Sequence, residues 1–272
     1  MVIDIEKKVK QTIGKKSILN KNEKIVVALS GGKDSAVTAY VLKKLGYNIK
    51  GLYVDLCVGD YSKTCLKKIN ELCQMLDIKL SVYNLVENQG ESVKEYWEKN
   101  PNLNHCSACG VLKKWVLNKQ ARKLKADKIA TGHNLEDEAQ TFLMNIFKGS
   151  PELSANTGVI TQNPEGKNTG KFIPRIKPLY YIHEEDVLEF AKKNKIPFLS
   201  GKCPYAEQSY RIEIREFLEK LNKKQRENIL MNFEKIYPKI DKIRNKKTGV
   251  CKICGEPARG DICKMCRLKG SV

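Results

Sequence analysis

Hydrophobic and polar positions along the chain alternate between two periods. Lys24–Leu29 (KIVVAL) is a short apolar run closed by Ser and Gly, which reads as a strand buried on both faces. Ser35–Leu45 (SAVTAYVLKKL) changes to helical spacing, and Ile49–Leu56 (IKGLYVDL) returns to strand. Ser62–Leu76 is helical again, and Lys79–Leu85 (KLSVYNL) alternates as a strand. A helix over Val111–Lys125, a strand over Asp127–Thr131 and a helix over Leu135–Phe147 continue the series. This β-α-β-α order predicts an α/β fold, a doubly wound parallel sheet with helices on both faces. Residues 150–170 are polar and rich in Gly, Asn and Thr, the composition of a mobile loop, while Glu184–Asn194 and much of 209–246 have helical spacing. The character changes beyond residue 248, and there is no internal repeat.

At 272 residues and 41% hydrophobic content the chain can bury a substantial core. No apolar stretch approaches the roughly 20 residues of a membrane-spanning helix. The opening residues MVIDIEKKVK carry no apolar signal core, so a cytoplasmic, reducing location is expected. There, ten cysteines point to metal binding or sulfur chemistry before disulfides. The 50 Lys and Arg outweigh 31 Asp and Glu by a net charge of +19, which calls for a polyanionic partner. Nucleic acid fits better than an acidic membrane surface, because no amphipathic anchor with exposed aromatics stands out. The clusters at Lys119–Lys128, Lys223–Arg226 and Lys242–Lys247 read singly as solvated helix faces; their sum carries the inference.

Cys251, Cys254, Cys263 and Cys266 form C-x2-C-x8-C-x2-C, with Gly255 and Gly260 permitting tight turns. Tetrahedral Zn2+ held by four thiolates is the expected occupant, and an iron of rubredoxin type is its competitor. Lys252, Arg259, Lys264, Arg267 and Lys269 around this ribbon suit contact with phosphate, although a purely structural cap is the alternative.

The first strand runs into ALSGGKDS, residues 28–35. Ser30, Gly31 and Gly32 let backbone approach an anion at a helix start, Lys33 adds a point charge, and Asp34 or Ser35 can cap the helix. The spacing is not the G-x4-G-K-[ST] of kinases and GTPases. A second C-x2-C pair, Cys106 and Cys109, stands in HCSACGVLKKWVL, with Lys113 one helical turn further on. From the residues alone it reads as metal ligands or as a redox dithiol. Cys57, Cys65 and Cys73 match no ligand pattern and read as core or helix-face residues.

SGGKDS resembles the PP-loop of the ATP pyrophosphatase superfamily, whose members cleave ATP to AMP and pyrophosphate while adenylating a substrate. Together with HCSACGVLKKWVL, TGHNLEDEAQTFLMN (131–145), PRIKPL (174–179) and KCPYA (202–206), it resembles the TtuA and TtcA group of tRNA thiolation enzymes, over about residues 24–220. The resemblance implies a fold of the adenine nucleotide alpha hydrolase type. It also implies an ATP-dependent enzyme that replaces a base carbonyl oxygen, at C2 of a uridine, with sulfur. Cys203 takes the place of a third cysteine, and the implied cofactor is a [4Fe-4S] cluster held by Cys106, Cys109 and Cys203 with one iron open; a persulfide mechanism uses the same residues. Ser30, Gly31, Gly32, Lys33 and Ser35 would hold ATP with Gly132, while Asp34 would help to hold Mg2+. Asp137, in the first turn of the helix capped by Asn134, corresponds to a catalytic residue, and Lys113 is the further candidate. Tyr53 and Asp55 end the second strand, where adenine and ribose contacts fall in doubly wound sheets. His133 reads as a backbone-ordering group.

The expected partners are tRNA and a sulfur donor, either sulfide or a sulfur-carrier protein, with a homodimer as the assembly. A non-catalytic tRNA-binding or sulfur-relay protein is the alternative. TtuA relatives carry another zinc finger ahead of the PP-loop, but no cysteine precedes Cys57 here; the TtcA type lacks the C-terminal ribbon. The expected organisation is a basic helix at 1–23, an ATP-binding and catalytic domain at 24–200, a helical region at 201–247 and a zinc ribbon at 248–272.

Overall fold

In the computed structural model, which describes residues 4–161, 170–201, 203–206, 210–242 and 249–270, the chain opens with α1 (Ile5–Lys16), started by Asp4, whose carboxylate accepts from the Lys7 amide at 3.0 Å. There follow β1 (Lys24–Leu29), α2 (Lys33–Lys44), β2 (Asn48–Asp55), α3 (Gly59–Leu76), β3 (Leu80–Asn84), α4 (Leu85–Gln89), α5 (Val93–Glu98), α6 (His105–Lys123), β4 (Lys128–Ala130) and α7 (Leu135–Phe147). A 3-10 helix (Pro151–Asn156), β5 (Ile160–Thr161), β6 (Arg175–Ile176), α8 (Glu184–Lys193), α9 (Arg211–Glu219) and α10 (Lys223–Lys242) lead to the ribbon of β7 (Gly249–Val250), β8 (Pro257–Ala258) and α11 (Lys264–Leu268).

The larger sheet has the order β3-β2-β1-β4-β6-β5, parallel throughout except for the antiparallel edge strand β5. The apolar run of β1 needs both faces covered, and both are. Ile25, Val27 and Leu29 enter one core with side chains of α1, α2, α3, α8 and α10, while Val26 enters another with Ala121 of α6. α1 buries Ile5, Val9 and Ile13 in the first of these cores. From β1 the connections run to β2 and β3 on one side and, later, to β4 and β6 on the other. The loops at the carboxyl ends of β1 and β4 therefore diverge and leave a crevice, the usual ligand position in open α/β sheets.

The expected doubly wound parallel sheet is present, and β1 and α7 have the expected bounds. α6 begins at His105, ahead of the expected Val111, because Asn104 caps it while Cys106 and Ser107 lie exposed and break the apolar spacing. α4 and α5 are too short for periodicity to announce. The helical stretch expected over 209–246 is two helices, α9 and α10. Part of the loop at 150–170 forms the 3-10 helix and β5, and its residues 162–169 lie outside the described residues, as do Lys202 and most of the Lys242–Lys247 cluster.

Candidate functional site

The turn after β1 is built for backbone approach. Gly31 has φ 83°, and a Cβ there would come within 2.9 Å of the Cys65 Cβ, so the turn tolerates neither a side chain nor an ordinary φ. The Ser30 amide donates to Ser35 Oγ at 3.1 Å, the Gly32 amide donates to Ser30 Oγ at 3.4 Å, and Leu199 N donates to Gly31 O at 2.8 Å. Gly32 caps α2 without a side-chain hydrogen bond, so the helix presents amide donors at an uncapped start, an anion site.

Lys33 Nζ lies 3.0 Å from Asp34 Oδ2 and 2.7 Å from Glu184 Oε1, and Arg215 grips the same Glu184 at 2.7 and 2.8 Å. Burial opposes the Lys33 charge, but the two carboxylates raise its pKa above the ordinary lysine value. The second wall of the crevice follows β4. The missing Cβ of Gly132 would meet Ser35 N at 2.5 Å, so only glycine lets this wall close on the start of α2. Asn134 caps α7 by accepting from Asp137 N at 3.0 Å, and its own amide donates to Asp137 Oδ2 at 3.2 Å. Its side-chain Nδ2 donates to Asp34 Oδ1 at 3.0 Å. Burial raises the carboxyl pKa of Asp34 against the pull of Lys33, and raises that of Asp137 against the pull of Arg211. Asp34 and Asp137 thus place carboxylates beside the phosphate loop, while Glu184 is occupied by Lys33 and Arg215.

His133 sits at the mouth of this crevice with Nδ1 2.9 Å from Thr131 Oγ1. The crowding protein and the cation of Lys177 hold its pKa down to about 4. The Tyr53 ring is committed to the core, its hydroxyl donating to Ser62 O at 3.3 Å, so a nucleotide contact from this position has to come from backbone. Asp55 Oδ1 accepts from Cys57 N at 2.7 Å and closes the turn after β2.

Cys106 and Cys109 occupy the first turns of α6, three residues apart and so on one side of the helix. Cys203 lies in a turn closed by Ala206 N donating to Cys203 O at 2.9 Å. Burial pushes the Cys109 thiol up to about 11, with Lys113 opposing and the Cys203 and Cys106 thiols adding to the rise. Burial raises the pKa of Cys65 on α3, and its side chain is the one against Gly31. Cys65 is the core residue its spacing suggested, 1% exposed on the same face of α3 as Ile69, Leu72 and Leu76; its place under Gly31 is not legible from that spacing.

Among the described residues, Cys251, Cys254, Cys263 and Cys266 are the one group of three or more ligating side chains whose donor atoms all lie within 4.8 Å of one another. The Sγ separations of 3.8 Å for Cys251 and Cys266 and 3.6 Å for Cys254 and Cys263 suit one tetrahedral ion, since Zn–S bonds of about 2.3 Å place thiolates about 3.8 Å apart. The ribbon is docked on α5 and α6: Cys251, Ala258, Met265 and Leu268 share a core with Tyr96, Leu112 and Val116, and Arg122 pairs with Glu256.

Two of the basic clusters are partly spent inside the fold. Lys223 pairs with Asp186 at 2.7 Å, Arg226 with Glu185 at 3.0 Å and Lys128 with Glu23 at 2.7 Å. The concentrated positive field is elsewhere, around Lys114. Surrounding protein lowers the pKa of that lysine, and Arg175, Lys264, Arg211 and Lys177 lower it further. These cations come from α6, the sheet, α9 and the ribbon and concentrate positive charge around Lys114, although Lys177 is itself paired with Glu138 at 2.7 Å.

A glycine-bearing turn after β1, an uncapped helix start and a second wall after β4 define an ATP-binding fold of the PP-loop kind. The chain belongs to the PP-loop family, whose domain matches residues 1–222. Within it, the chain falls among the tRNA sulfurtransferases and thiolation proteins. It is 38% identical over 270 residues, 97% of this chain and 84% of the relative, to a tRNA-5-methyluridine(54) 2-sulfurtransferase of Pyrococcus horikoshii. It is 31% identical over 289 residues to the tRNA 2-thiolation protein NcsA of Haloferax volcanii, covering 98% of this chain and 90% of the relative. The U34-tRNA thiolase NcsA from Methanococcus maripaludis, with its [4Fe-4S] cluster, superposes with a TM-score of 0.83 at 29% identity, covering 99% of this chain and 87% of that one.

Proposed function

We propose that this protein is a tRNA thiolation enzyme that uses ATP to activate a base carbonyl oxygen, at C2 of a uridine, and replaces that oxygen with sulfur. The carbonyl oxygen attacks the α-phosphorus of ATP and pyrophosphate leaves. Sulfide then adds at the carbon, and the oxygen departs with AMP. Ser30, Gly31, Gly32 and Ser35 cradle the phosphates, and Lys33 exchanges Glu184 for phosphate oxygen. Asp34 would help to hold Mg2+, which would supply positive charge against the phosphates, while Asp137 flanks the same pocket and Lys113 stabilises negative charge near the sulfur. Gly132 keeps the second wall against α2, and the backbone at Tyr53 and Asp55 edges the nucleotide. Cys106, Cys109 and Cys203 would hold a [4Fe-4S] cluster that supplies sulfur through an iron without a protein ligand. Cys251, Cys254, Cys263 and Cys266 would hold Zn2+, which would keep the ribbon folded.

What supports this reading is that Cys106 and Cys109 lie on one side of the start of α6, that Tyr205, two residues beyond Cys203, stacks on His105 of the same helix start at 4.5 Å, and that Cys65 lies against Gly31 of the phosphate loop. tRNA is the polyanion that the +19 charge answers, and sulfide or a sulfur-carrier protein is the donor. The relatives named above concern two different uridines, 54 and 34. No helix of the described residues is long and apolar enough to cross a membrane. Work in the cytoplasm as a homodimer belongs to the same proposal. The division at residues 23, 200 and 247 belongs to the same reading.

The test is anaerobic reconstitution with iron and sulfide, then iron, sulfide and zinc analysis and ATP-dependent thiouridine formation for wild type and Cys203→Ala. About four irons and one zinc per chain, with iron and thiolation lost in the variant, support it. Thiolation without iron would replace the cluster by persulfide chemistry, and no thiolation with intact tRNA binding would leave a binding protein.

A further inference from the structure

The two halves of the cysteine triad come from distant parts of the chain, so something has to hold the Cys203 segment against the start of α6. His105, the first residue of α6, is only 5% exposed, although Asn104, Cys106 and Ser107 around it are exposed. Its ring lies between two others: Trp97 of α5 at a centroid separation of 3.7 Å and 25°, and Tyr205 at 4.5 Å and 3°. Tyr205 stands two residues beyond Cys203, inside the turn that Ala206 N closes on Cys203 O. His105 is the neighbour of Cys106. The stack thus joins the residue next to one thiol to the turn that bears another.

We infer that the Trp97, His105 and Tyr205 stack is the clasp that sets Cys203 against Cys106 and Cys109, with His105 and Tyr205 as positioning residues for the group that the three thiols hold. Parallel rings at these separations resist sliding and tilting, so they fix the direction of approach of the Cys203 turn as well as its distance. The clasp is continuous with the ribbon. Trp97, Cys109 and Tyr205 pack against the core that contains Cys251, Ala258, Met265 and Leu268, and Asn100 Nδ2, just beyond α5, donates to Leu268 O at 2.9 Å. The ribbon therefore braces the stack from outside, without contributing a thiol to the triad. The stacking needs the Tyr205 ring but not its hydroxyl.

This inference rests on the proposed function only for the identity of the bound group, and its test separates the two. Full-length Tyr205→Leu, His105→Ala and Tyr205→Phe are compared with wild type after anaerobic reconstitution, each checked for unaltered ATP binding and thermal unfolding. Cluster retention against an iron chelator is expected to fall by about 10- to 100-fold in Tyr205→Leu and His105→Ala, as when a group that orients a metal ligand is lost, and to be restored in Tyr205→Phe. The second readout uses the reduced, metal-free protein: alkylation of Cys203 by iodoacetamide is expected to accelerate in Tyr205→Leu and to match wild type in Tyr205→Phe. A wild type that binds no iron would sink the cluster reading, while the alkylation rates would still decide the clasp. Wild-type alkylation rates in Tyr205→Leu, or wild-type iron retention in both disruptive variants, would overturn the inference.

Discussion

Asn134 Nδ2 donates to Asp34 Oδ1 at 3.0 Å across a separation of 100 residues, tying the turn after β4 to the turn after β1. The same side chain caps α7 through Asp137 N. One residue thus sets both the separation of the crevice walls and the direction of α7, and the removal of its amide has two consequences at once.

Asn134→Ala is expected to lower stability by about 1 kcal/mol through the lost cap, read by urea unfolding. ATP affinity should fall as well, because Asp34 loses the donor that orients it. Asn134→Asp keeps the cap but sets a second buried carboxylate against Asp34, so it should lose stability through repulsion, more at neutral than at acidic pH, and bind ATP less well. Equal ATP affinity in all three proteins would remove Asn134 from the site.

Gly132→Ala tests the second wall. The added methyl meets Ser35 N at 2.5 Å, backbone that cannot swing aside, so the wall has to retreat from the start of α2. The expected result is a loss of about 1–3 kcal/mol in stability together with weakened ATP binding, measured by unfolding and calorimetric titration.

His183 provides a pH signature. It is 1% exposed, with Nδ1 2.7 Å from Glu136 and Nε2 3.2 Å from Glu227, while Asp186 adds negative charge and Arg226 shares Glu136 at 3.2 Å. Burial opposes the imidazolium, but the carboxylates win and raise its pKa above the ordinary value. A raised folded-state pKa means that the stabilisation is complete below the unfolded value of about 6.5 and is lost as pH rises through the folded one. Thermal unfolding scans should show the melting temperature falling over that rise, and His183→Gln should flatten this part of the profile.

Removal of zinc by a chelator should unfold the ribbon alone. Its apolar residues are covered on α6 only while the four thiolates are drawn together, so residues 249–270 should become protease-sensitive and the emission of the Trp97 and Trp115 side chains packed there should change. ATP binding should persist, because the phosphate loop packs in the other core. Loss of ATP binding on chelation would show that the ribbon supports the whole sheet.

The cation cluster around Lys114 predicts how RNA is held. Lys114→Ala and Lys264→Ala should each weaken tRNA binding and reduce the slope of log affinity against log salt by about 1, for a single phosphate contact each. Lys223→Ala should leave that slope unchanged, since Asp186 already neutralises it at 2.7 Å.

Sequence alone determined the parts whose chemistry is local. The apolar run of β1, the glycine turn into α2, the span of α7 and the knuckle spacing of the ribbon were legible because fixed backbone geometry converts short sequence distances into known spatial ones; the cap expected at Asp34 or Ser35 is instead Gly32, without a side-chain bond, because α2 already starts at Lys33. For Cys203 the residues gave no such rule, and only the family pattern singled it out. Tertiary structure decided the rest: that Lys33 is held by Glu184 across 151 residues, that Cys65 lies under Gly31, that Tyr53 is spent on the core, and that His105 is clasped between Trp97 and Tyr205. These depend on sheet order and on which faces are buried together. Spacing along the chain does not encode that, since every one of these side chains would read equally well as ordinary core or surface.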